Sequence, residues 1–364
     1  MGLGMKFLKQ MLVDVWGRRD DDANWRRHTV PLNPKTVGSV LMLHLNEKLG
    51  DAVIDSLLVD ALARHHPAIP VSVGTTKGFE RYWGSHPHVR EVVVFPPSKG
   101  RSALSRVPAA QRAGRAVRGR YDLVVSFESF AQPDHFALLR ALAPKTLVGF
   151  DKNRFRLFDF SLDEGRLGVE ARPIVGKIAS IMRVLGDEID VSCLRGHVPL
   201  GPKDAQAVQP ILDCLPGGPR LLLHAYGSGP RKLLSPAVVA RLVAQTREAG
   251  HAGPIWVGVP EGRQGDYEAA LGEGVAVIGP TNSLFTLIAL VAAMDLVIAP
   301  DTSIGHIAAA LGKPQVVLFP GEANVPRVWR PLNERCAVLV APPGRSIESI
   351  DPTEFALAAR NLVT

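Results

Sequence analysis

The chain has 364 residues, of which 46% are hydrophobic and 21% are charged, a composition typical of a globular protein rather than a disordered one. This length favours two domains of roughly 150 residues each. The formal net charge of +7 indicates anionic partners such as nucleotides, phosphorylated sugars or an acidic membrane surface. The basic residues are scattered and no zinc-ligand spacing occurs, so nucleic acid is not expected as a partner.

The N-terminal extension, residues 1–36, carries apolar residues at helical spacing beside basic ones, as in "MGLGMKFLKQMLVDVWGRR". It lacks the cleavage site of a signal peptide. This pattern favours a helix packed on the body of the protein, and the alternative is an amphipathic helix lying on a membrane surface. The acidic stretch "RRDDDANW" at 18–25 is interpreted as a solvated segment, not as a metal site.

Two further features suggest a reduced, cytoplasmic setting. The three cysteines are far apart and odd in number, and no apolar run reaches the roughly 18–20 residues of a membrane-spanning helix.

The sequence predicts an N-terminal domain over 37–200 that contains buried strands, and a helix with one apolar face follows the first of them. Near-continuous Val, Ile and Leu runs, typical of buried parallel strands, predict them at 37–45, 69–74, 89–95, 121–127 and 145–150.

A proline-rich stretch at 197–220 ends in Pro-Gly-Gly-Pro and predicts a linker before a second domain over 219–364. There the alternation restarts, with a helix over 235–249 and a last helix that has Pro352 in its first turn. The fold class is therefore α/β, with two Rossmann-type doubly wound domains and ligands at the carboxyl ends of strands in the cleft between them. The strands of the second domain are predicted at 220–227, 254–259, 274–279, 294–300 and 314–320.

The stretch "APDTSIGHIAAALGKPQVVLF" at 299–319 places polar residues where a helix begins after a buried strand. Asp301 or Thr302 can cap this helix, and free N–H groups at 303–305 would favour a phosphate. Gly305 would let a ligand approach closely. His306 lies about 200° around the helix from Ile304 of the buried stripe, so its ring should face solvent or a ligand. The simpler alternative is that these residues only cap the helix.

Two other loops follow predicted strands. In "HLNEKLGDAVID", Gly50 permits a tight turn and Asp51 begins a helix, where its carboxylate would act as a general base or only stabilise the helix N-terminus. In "HAYGSGPRKLLSP", Lys232 would neutralise charge on a leaving diphosphate, unless the loop is simply solvated. This loop lacks the ending of a nucleotide-hydrolase P-loop.

These stretches resemble glycosyltransferase family 9, the lipopolysaccharide heptosyltransferase family. The segment "DLVIAPDTSIGHIAAALGKPQVVLFPG" is similar to its most distinctive motif, and "NEKLGDAVIDSLLVDALARHHP" is similar to its N-terminal loop. The resemblance spans about residues 38–360. It implies a GT-B fold and an inverting, metal-independent transferase without cofactor, which moves a sugar, heptose from ADP-heptose, to a lipopolysaccharide-core or related glycan. It also implies a place at the inner face of the bacterial inner membrane.

The resemblance assigns roles to individual residues. Asp51 would be the general base and Lys232 would meet the donor phosphates. The acceptor would contact two cations, Lys77 and Arg81. Glu261 is matched to an acidic residue that holds the ribose hydroxyls. The predicted donor-binding residues are Gly50, Glu261, Asp301, Thr302, Ser303, Gly305 and His306.

The sequence departs from the family pattern at two positions. Ser303 stands where many members have Gly, and Leu45 stands where an Arg often ends the first strand. Two alternatives therefore stay open: a non-catalytic nucleotide-sugar-binding protein of the same fold, and a nucleotide-sugar epimerase or hydrolase.

Overall fold

The computed structural model describes residues 3–18, 27–97, 102–128, 131–163, 174–215, 217–322 and 325–363. These residues form two compact units. The first consists of described residues within 1–48, 55–170 and 175–194, and the second of those within 49–54, 171–174 and 195–364. The described residues of the predicted N-terminal extension, 3–18 and 27–36, are thus counted with the first unit, and the chain passes from the first unit to the second at 194/195.

The first unit is an α/β structure with one parallel sheet, and helices connect its strands. Its strands are β1 (Val40–His44), β2 (Val71–Thr75), β3 (Val89–Val94), β4 (Leu123–Ser126), β5 (Thr146–Phe150) and β6 (Phe160–Leu162). Its helices are α1 (Leu3–Trp16), α2 (Leu49–His65, whose first turn is counted with the second unit), α3 (Glu80–Gly84), α4 (Ala103–Ala116), α5 (Pro133–Leu142) and α6 (Gly176–Val184), with 3-10 helices at Pro34–Thr36, Lys77–Phe79 and Val191–Cys193.

The second unit repeats this construction. Its strands are β7 (Leu221–His224), β8 (Ile255–Gly258), β9 (Val275–Ile278), β10 (Leu296–Pro300), β11 (Gln315–Phe319) and β12 (Cys336–Val340). Its helices are α7 (Pro202–Leu212), α8 (Pro236–Glu248), α9 (Gln264–Glu268), α10 (Leu284–Ala292), α11 (Ser303–Ala310), α12 (Val325–Val328) and α13 (Pro352–Val363), with 3-10 helices at Pro230–Lys232 and Ile347–Ser349.

Both sheets have the same strand order. The first runs β3-β2-β1-β4-β5-β6 and the second runs β12-β11-β10-β7-β8-β9. In each sheet the order in which the chain adds strands therefore changes direction once, between β1 and β4 in the first sheet and between β7 and β10 in the second. All ten neighbouring strand pairs are parallel. This is the doubly wound Rossmann topology, so the predicted fold class is confirmed.

The burial of the central strands explains why the sequence predicted them. Every residue of β1 and of β10 is buried, because helices cover both faces of a parallel sheet. The edge strands β3 and β9 are only partly buried. The structure thereby accounts for the continuous apolar runs at the centre of each sheet.

Two parts of the structure differ from the expectation. The predicted linker contains α7, because Pro202 stands in the first turn, where a helix tolerates proline, and Asp204 Oδ2 accepts a hydrogen bond from Gly201 N–H at 3.1 Å. Gly217 and Gly218, between α7 and β7, both have positive φ. Strands β6 and β12 were not predicted: β6 has only three residues, and β12 was missed although its sequence CAVLV is apolar throughout.

Three further observations concern the expectations about setting. Cys193, Cys214 and Cys336 are free thiols. Among the helices of the described residues, none is long and apolar enough to cross a membrane. Apart from Arg18, the acidic stretch at 18–25 lies outside the described residues.

Helices α4 and α5 approach closely at Gly114, and this contact can be tested by substitution. A Cβ atom at Gly114 would lie 2.7 Å from Ala141 Cβ and 2.9 Å from Leu138 O. Gly114→Ala should therefore lower the free energy of unfolding by on the order of 1–3 kcal/mol, measured by urea denaturation. Gly84→Ala is the matched control, because nothing lies within 4 Å of a Cβ there. A Gly114 variant as stable as the control would contradict this packing.

Candidate functional site

The candidate site lies where the strand order of the second sheet changes direction, between β7 and β10. Strands β7 and β10 are parallel neighbours, with Leu223 opposite Ile298. The chain leaves their carboxyl ends in opposite directions around the sheet, which is the position where doubly wound sheets bind ligands. The loop after β7 contains Lys232, and the loop after β10 contains Asp301 and Thr302.

Lys232 and Asp301 join these two loops. The Nζ of Lys232 donates to Asp301 Oδ2 at 2.5 Å and to the Asp301 backbone oxygen at 3.1 Å. The side chains are 22% and 12% exposed, so water and salt screen their attraction only partly. A lysine ammonium has three N–H donors, and Asp301 takes two of them. The pair fixes the ammonium in place and leaves one donor direction for another acceptor.

Gly227 allows this pair to form. A Cβ at this position would lie 2.9 Å from Lys232 Cβ and 3.1 Å from Thr302 Cγ2. The stem of the lysine and the methyl group of the threonine therefore both pack over the bare backbone of Gly227. Any larger residue would have to push one of them away.

Thr302, and not Asp301, is the residue that caps α11. Its Oγ1 accepts from Ile304 N–H at 3.4 Å, and its backbone oxygen accepts from Gly305 N–H at 3.2 Å. The expectation of free N–H groups over 303–305 was therefore wrong for two of the three. At Ser303 the N–H is the first of the helix, a position without an intrahelical acceptor.

Gly305 does not face an approaching ligand. A Cβ there would point at Pro331 Cγ and Val317 Cγ2, both at 3.4 Å, and at Gln315 Oε1 at 3.6 Å. These atoms belong to β11 and to the chain before β12. A Cβ at Gly305 would thus face β11 and the chain before β12 at ordinary van der Waals distances, so an alanine would fit there and the glycine does not open space toward a ligand.

His306 is buried, with 8% of its surface exposed, so of the two expected surroundings of its ring, solvent or a ligand, solvent is wrong. Burial lowers the pKa of His306, and the negative charges of Asp301 and Asp51 oppose this shift. The neutral form is therefore favoured at pH 7. Its ring lies 6.3 Å from that of Trp329 in an edge-on arrangement. The helical wheel correctly put His306 off the Ile304 stripe, but other residues cover that side of the helix.

The first turn of α2 covers part of that side. A Cβ at Gly50 would lie 3.3 Å from His306 Cδ2 and 3.4 Å from Ser303 Cα, so the glycine permits close approach of the two helices. Asp51 is the acidic residue of this turn and is half-buried. Its charge acts on His306, which places it in the same electrostatic environment as Asp301. The structure thus brings together Gly50, Asp51, Lys232, Asp301, Thr302, Ser303 and His306.

Besides Gly305, three predicted residues are not part of this group. Glu261 is exposed in the turn after β8, and within the described part of the chain no contact joins it to Lys232 or Asp301. Lys77 and Arg81 belong to the first unit and are exposed. Lys77 forms an ion pair with Glu80, one helical turn away.

Two residues of the site were not found by sequence reasoning. Gly227 shares its loop with one other glycine, Gly229, and only the contact with Lys232 and Thr302 singles it out. Trp329 lies 23 positions after His306, in a stretch without a recognisable pattern. Among the described residues no group of three His, Cys, Asp or Glu side chains could hold a metal ion.

Comparisons with known proteins concern the sequence pattern and the fold. Residues 261–351 match the model of glycosyltransferase family 9 (heptosyltransferase). This range contains α11 and the loop with Asp301 and Thr302, but not Lys232 or Asp51. No curated protein sequence matches the chain.

Three solved structures are similar in fold. A family 9 glycosyl transferase from Veillonella parvula has a TM-score of 0.74 at 16% identity, over 92% of this chain and 99% of its own. The E. coli ADP-heptose LPS heptosyltransferase II has a TM-score of 0.69 at 18% identity, over 89% and 98%. E. coli heptosyltransferase WaaC with ADP has a TM-score of 0.62 at 17% identity, over 86% and 97%.

At these identities the solved structures show the fold, and the family model adds the sequence pattern of the second unit. The predicted resemblance is thereby confirmed: the chain has the GT-B fold of the heptosyltransferases, carries the family 9 pattern in residues 261–351, and is a glycosyltransferase.

Proposed function

We propose that the protein is an inverting, metal-independent glycosyltransferase that moves heptose from ADP-heptose to a lipopolysaccharide-core or related glycan acceptor. One observation carries the proposal: the Lys232–Asp301 pair, the cap of α11 and the first turn of α2 meet at one place in the second unit. A cation, a helix N-terminus and a carboxylate are the groups that transfer from a nucleoside diphosphate requires.

Lys232 is the group that meets the donor diphosphate. Asp301 holds its ammonium with two hydrogen bonds, and the third N–H is left to donate to a phosphate oxygen. The N-terminal end of α11, with the N–H of Ser303, adds the positive end of a helix dipole. The diphosphate that leaves gains negative charge as the glycosidic bond breaks, and these groups compensate it.

Asp51 is the general base. It takes the proton from the acceptor hydroxyl while the oxygen attacks the anomeric carbon of the donor sugar, and the bonding electrons leave with the nucleoside diphosphate. A single displacement of this kind inverts the anomeric configuration. It needs one carboxylate and no covalent sugar–enzyme intermediate.

The remaining residues are assigned from the resemblance. His306 lines the donor site beside Asp51, and its neutral ring adds no positive charge there. Glu261 contacts the ribose, and Lys77 and Arg81 contact an anionic glycolipid or glycan acceptor. The net charge of +7 suits that acceptor, and nucleic acid is not a partner. The reaction takes place at the inner face of the bacterial inner membrane.

The first test removes the base. Asp51→Asn should lower kcat by at least about 10²-fold, because the acceptor hydroxyl keeps its proton, while the affinity for ADP stays near that of the wild type. The readout is ADP release from ADP-heptose with a lipopolysaccharide-core acceptor, beside calorimetric titration with ADP. Asp60→Asn, on the same helix, is the matched control and should leave both values unchanged.

Two results would count against this assignment. If Asp51→Asn turns over as fast as the control, Asp51 is not the base. If the wild type binds ADP but transfers no sugar from any nucleotide donor, the chain is a non-catalytic binder.

The second test disturbs the lysine without touching its charge. Gly227→Ala would push Lys232 from its place, so the affinity for ADP should fall by roughly 10–100-fold, the range for one lost hydrogen bond to a charged group. Gly229→Ala is the control in the same loop, since nothing lies within 4 Å of a Cβ there and its φ is −158°. Equal ADP affinity in the two variants would remove Lys232 from the phosphate site.

A further inference from the structure

A buried hydrogen bond joins the end of β1 to the second turn of α2. His44 Nδ1 lies 2.9 Å from Asp55 Oδ2, and the two side chains are 0% and 8% exposed. Because an ionised carboxylate only accepts hydrogen bonds, the hydrogen lies on Nδ1 and His44 is the donor. Both residues belong to the first unit, and the reaction proposed above assigns a role to neither of them.

His44 lies in an aromatic environment that favours this bond. The centroids of the Phe79 and Trp83 rings are 5.2 and 5.5 Å from that of the imidazole. The other ring nitrogen, Nε2, is buried and has no hydrogen-bond partner within the described part of the chain. A hydrogen bond to a charged group is stronger where burial excludes water. His44 therefore connects β1 to α2 through one strong bond.

The chain between the two residues has no side-chain cap at the helix start. Residues 45–48 form the loop before α2, and Glu47 has a φ of 56°, a left-handed conformation that costs energy in residues other than glycine. Lys48 is the N-cap residue of α2, and its side chain makes no capping hydrogen bond. Ser, Thr, Asp or Asn would stabilise the helix start at that position. The His44–Asp55 bond supplies a restraint that this N-cap does not.

The restraint acts on the helix that carries Asp51 in its first turn. Asp51 and Asp55 are four residues apart on α2, so they lie on the same side of the helix, one turn from each other. A bond that fixes the second turn of a helix on a strand end also limits how far the first turn can tilt. The direction of a base matters, since a misplacement of about 1 Å can lower a rate by about 10²-fold.

We propose that His44 and Asp55 are positioning residues for Asp51, and that their bond holds the start of α2 on the end of β1. Neither residue touches a reacting atom. The effect on catalysis rests on the proposed function, in which Asp51 is the general base, whereas the restraint on α2 does not depend on that function.

The first experiment removes the donor of the bond. His44→Leu should lower kcat for heptose transfer by roughly 10–100-fold, while the affinity for ADP stays near that of the wild type. His44→Asn should recover most of the rate, because its amide nitrogen stands near the place of Nδ1 and donates to Asp55 again. His44→Gln places its amide nitrogen near Nε2 instead. It should behave like His44→Leu and replaces that variant if the leucine prevents folding.

The matched control is a second His–Asp pair on the same helix. His66 is the C-cap residue of α2, and its Nε2 lies 2.5 Å from Asp187 Oδ2. His66→Leu breaks this pair at the end of α2 that is far from Asp51. It should therefore lower the Tm, as His44→Leu does, but leave kcat near the wild-type value.

Two further measurements show whether the effect passes through Asp51. In the Asp51→Asn background, His44→Leu should cause little additional loss of kcat, because no base is left to position, whereas independent effects would multiply. Amide hydrogen exchange over residues 45–54, measured by mass spectrometry, should be faster by on the order of tenfold in His44→Leu and unchanged in His66→Leu. Exchange requires no sugar substrate, so it tests the restraint even if the wild type transfers no heptose.

Four results would overturn the proposal. Equal losses of kcat in His44→Leu and His66→Leu would make the effect one of stability alone. A folded His44→Asn variant as slow as His44→Leu would show that the bond to Asp55 is not what matters. A full additional loss in the Asp51→Asn background would mean that His44 does not act through Asp51. Unchanged exchange over 45–54 in His44→Leu would show that the bond does not hold the start of α2. A wild type without transfer activity contradicts the proposed function instead, and the exchange measurement then decides on the restraint.

Discussion

The ion pair between Lys232 and Asp301 is the interaction on which the candidate site depends. It connects the loops after β7 and β10, the two neighbouring strands between which the strand order of the second sheet changes direction. A lysine side chain alone has many rotamers, and fixing it costs conformational entropy that a ligand would otherwise have to offset. Because Asp301 holds the ammonium before any ligand arrives, the cation is already in position.

The surrounding residues maintain this pair through packing rather than through further charges. Gly227 provides room for the lysine stem, and Thr302 begins α11 directly after Asp301. Glu322 pairs with the neighbouring Arg231 at 2.9 Å, so the second cation of the loop has a partner of its own. The result is a half-buried site in which each of the two cations, Lys232 and Arg231, has its own acidic partner. Burial favours the neutral form of His306 beside them.

The strand pattern made the fold predictable from the sequence. Buried parallel strands need apolar residues on both faces, so the centre of each sheet was visible as continuous Val, Ile and Leu runs. Strand β6, with three residues, is too short to carry this signal, whereas β12 was missed although its sequence CAVLV carries it. Proline content suggested a linker where α7 lies, since the sequence does not show that Pro202 falls in a first turn.

The sequence predicted most of the individual residues of the site but not the contacts between them. Residues beside helix starts and strand ends were found, because those positions are encoded locally. The burial of His306 was not found, since it depends on Gly50 and Trp329, which are distant in sequence. Gly305 shows the same limit: the sequence places a glycine in a first turn, but only the fold shows that its Cβ position faces β11 and not a ligand.

The most direct test of the account is calorimetric titration of the wild type and Lys232→Met with ADP, UDP, GDP and CDP. The account predicts that the wild type binds ADP most tightly and that the variant loses most of this affinity, because the diphosphate has lost its cation. Tight binding of another nucleotide instead would keep the site and change the donor. If no nucleoside diphosphate binds at millimolar concentration, or if the variant binds as the wild type does, the loops after β7 and β10 are not a donor site.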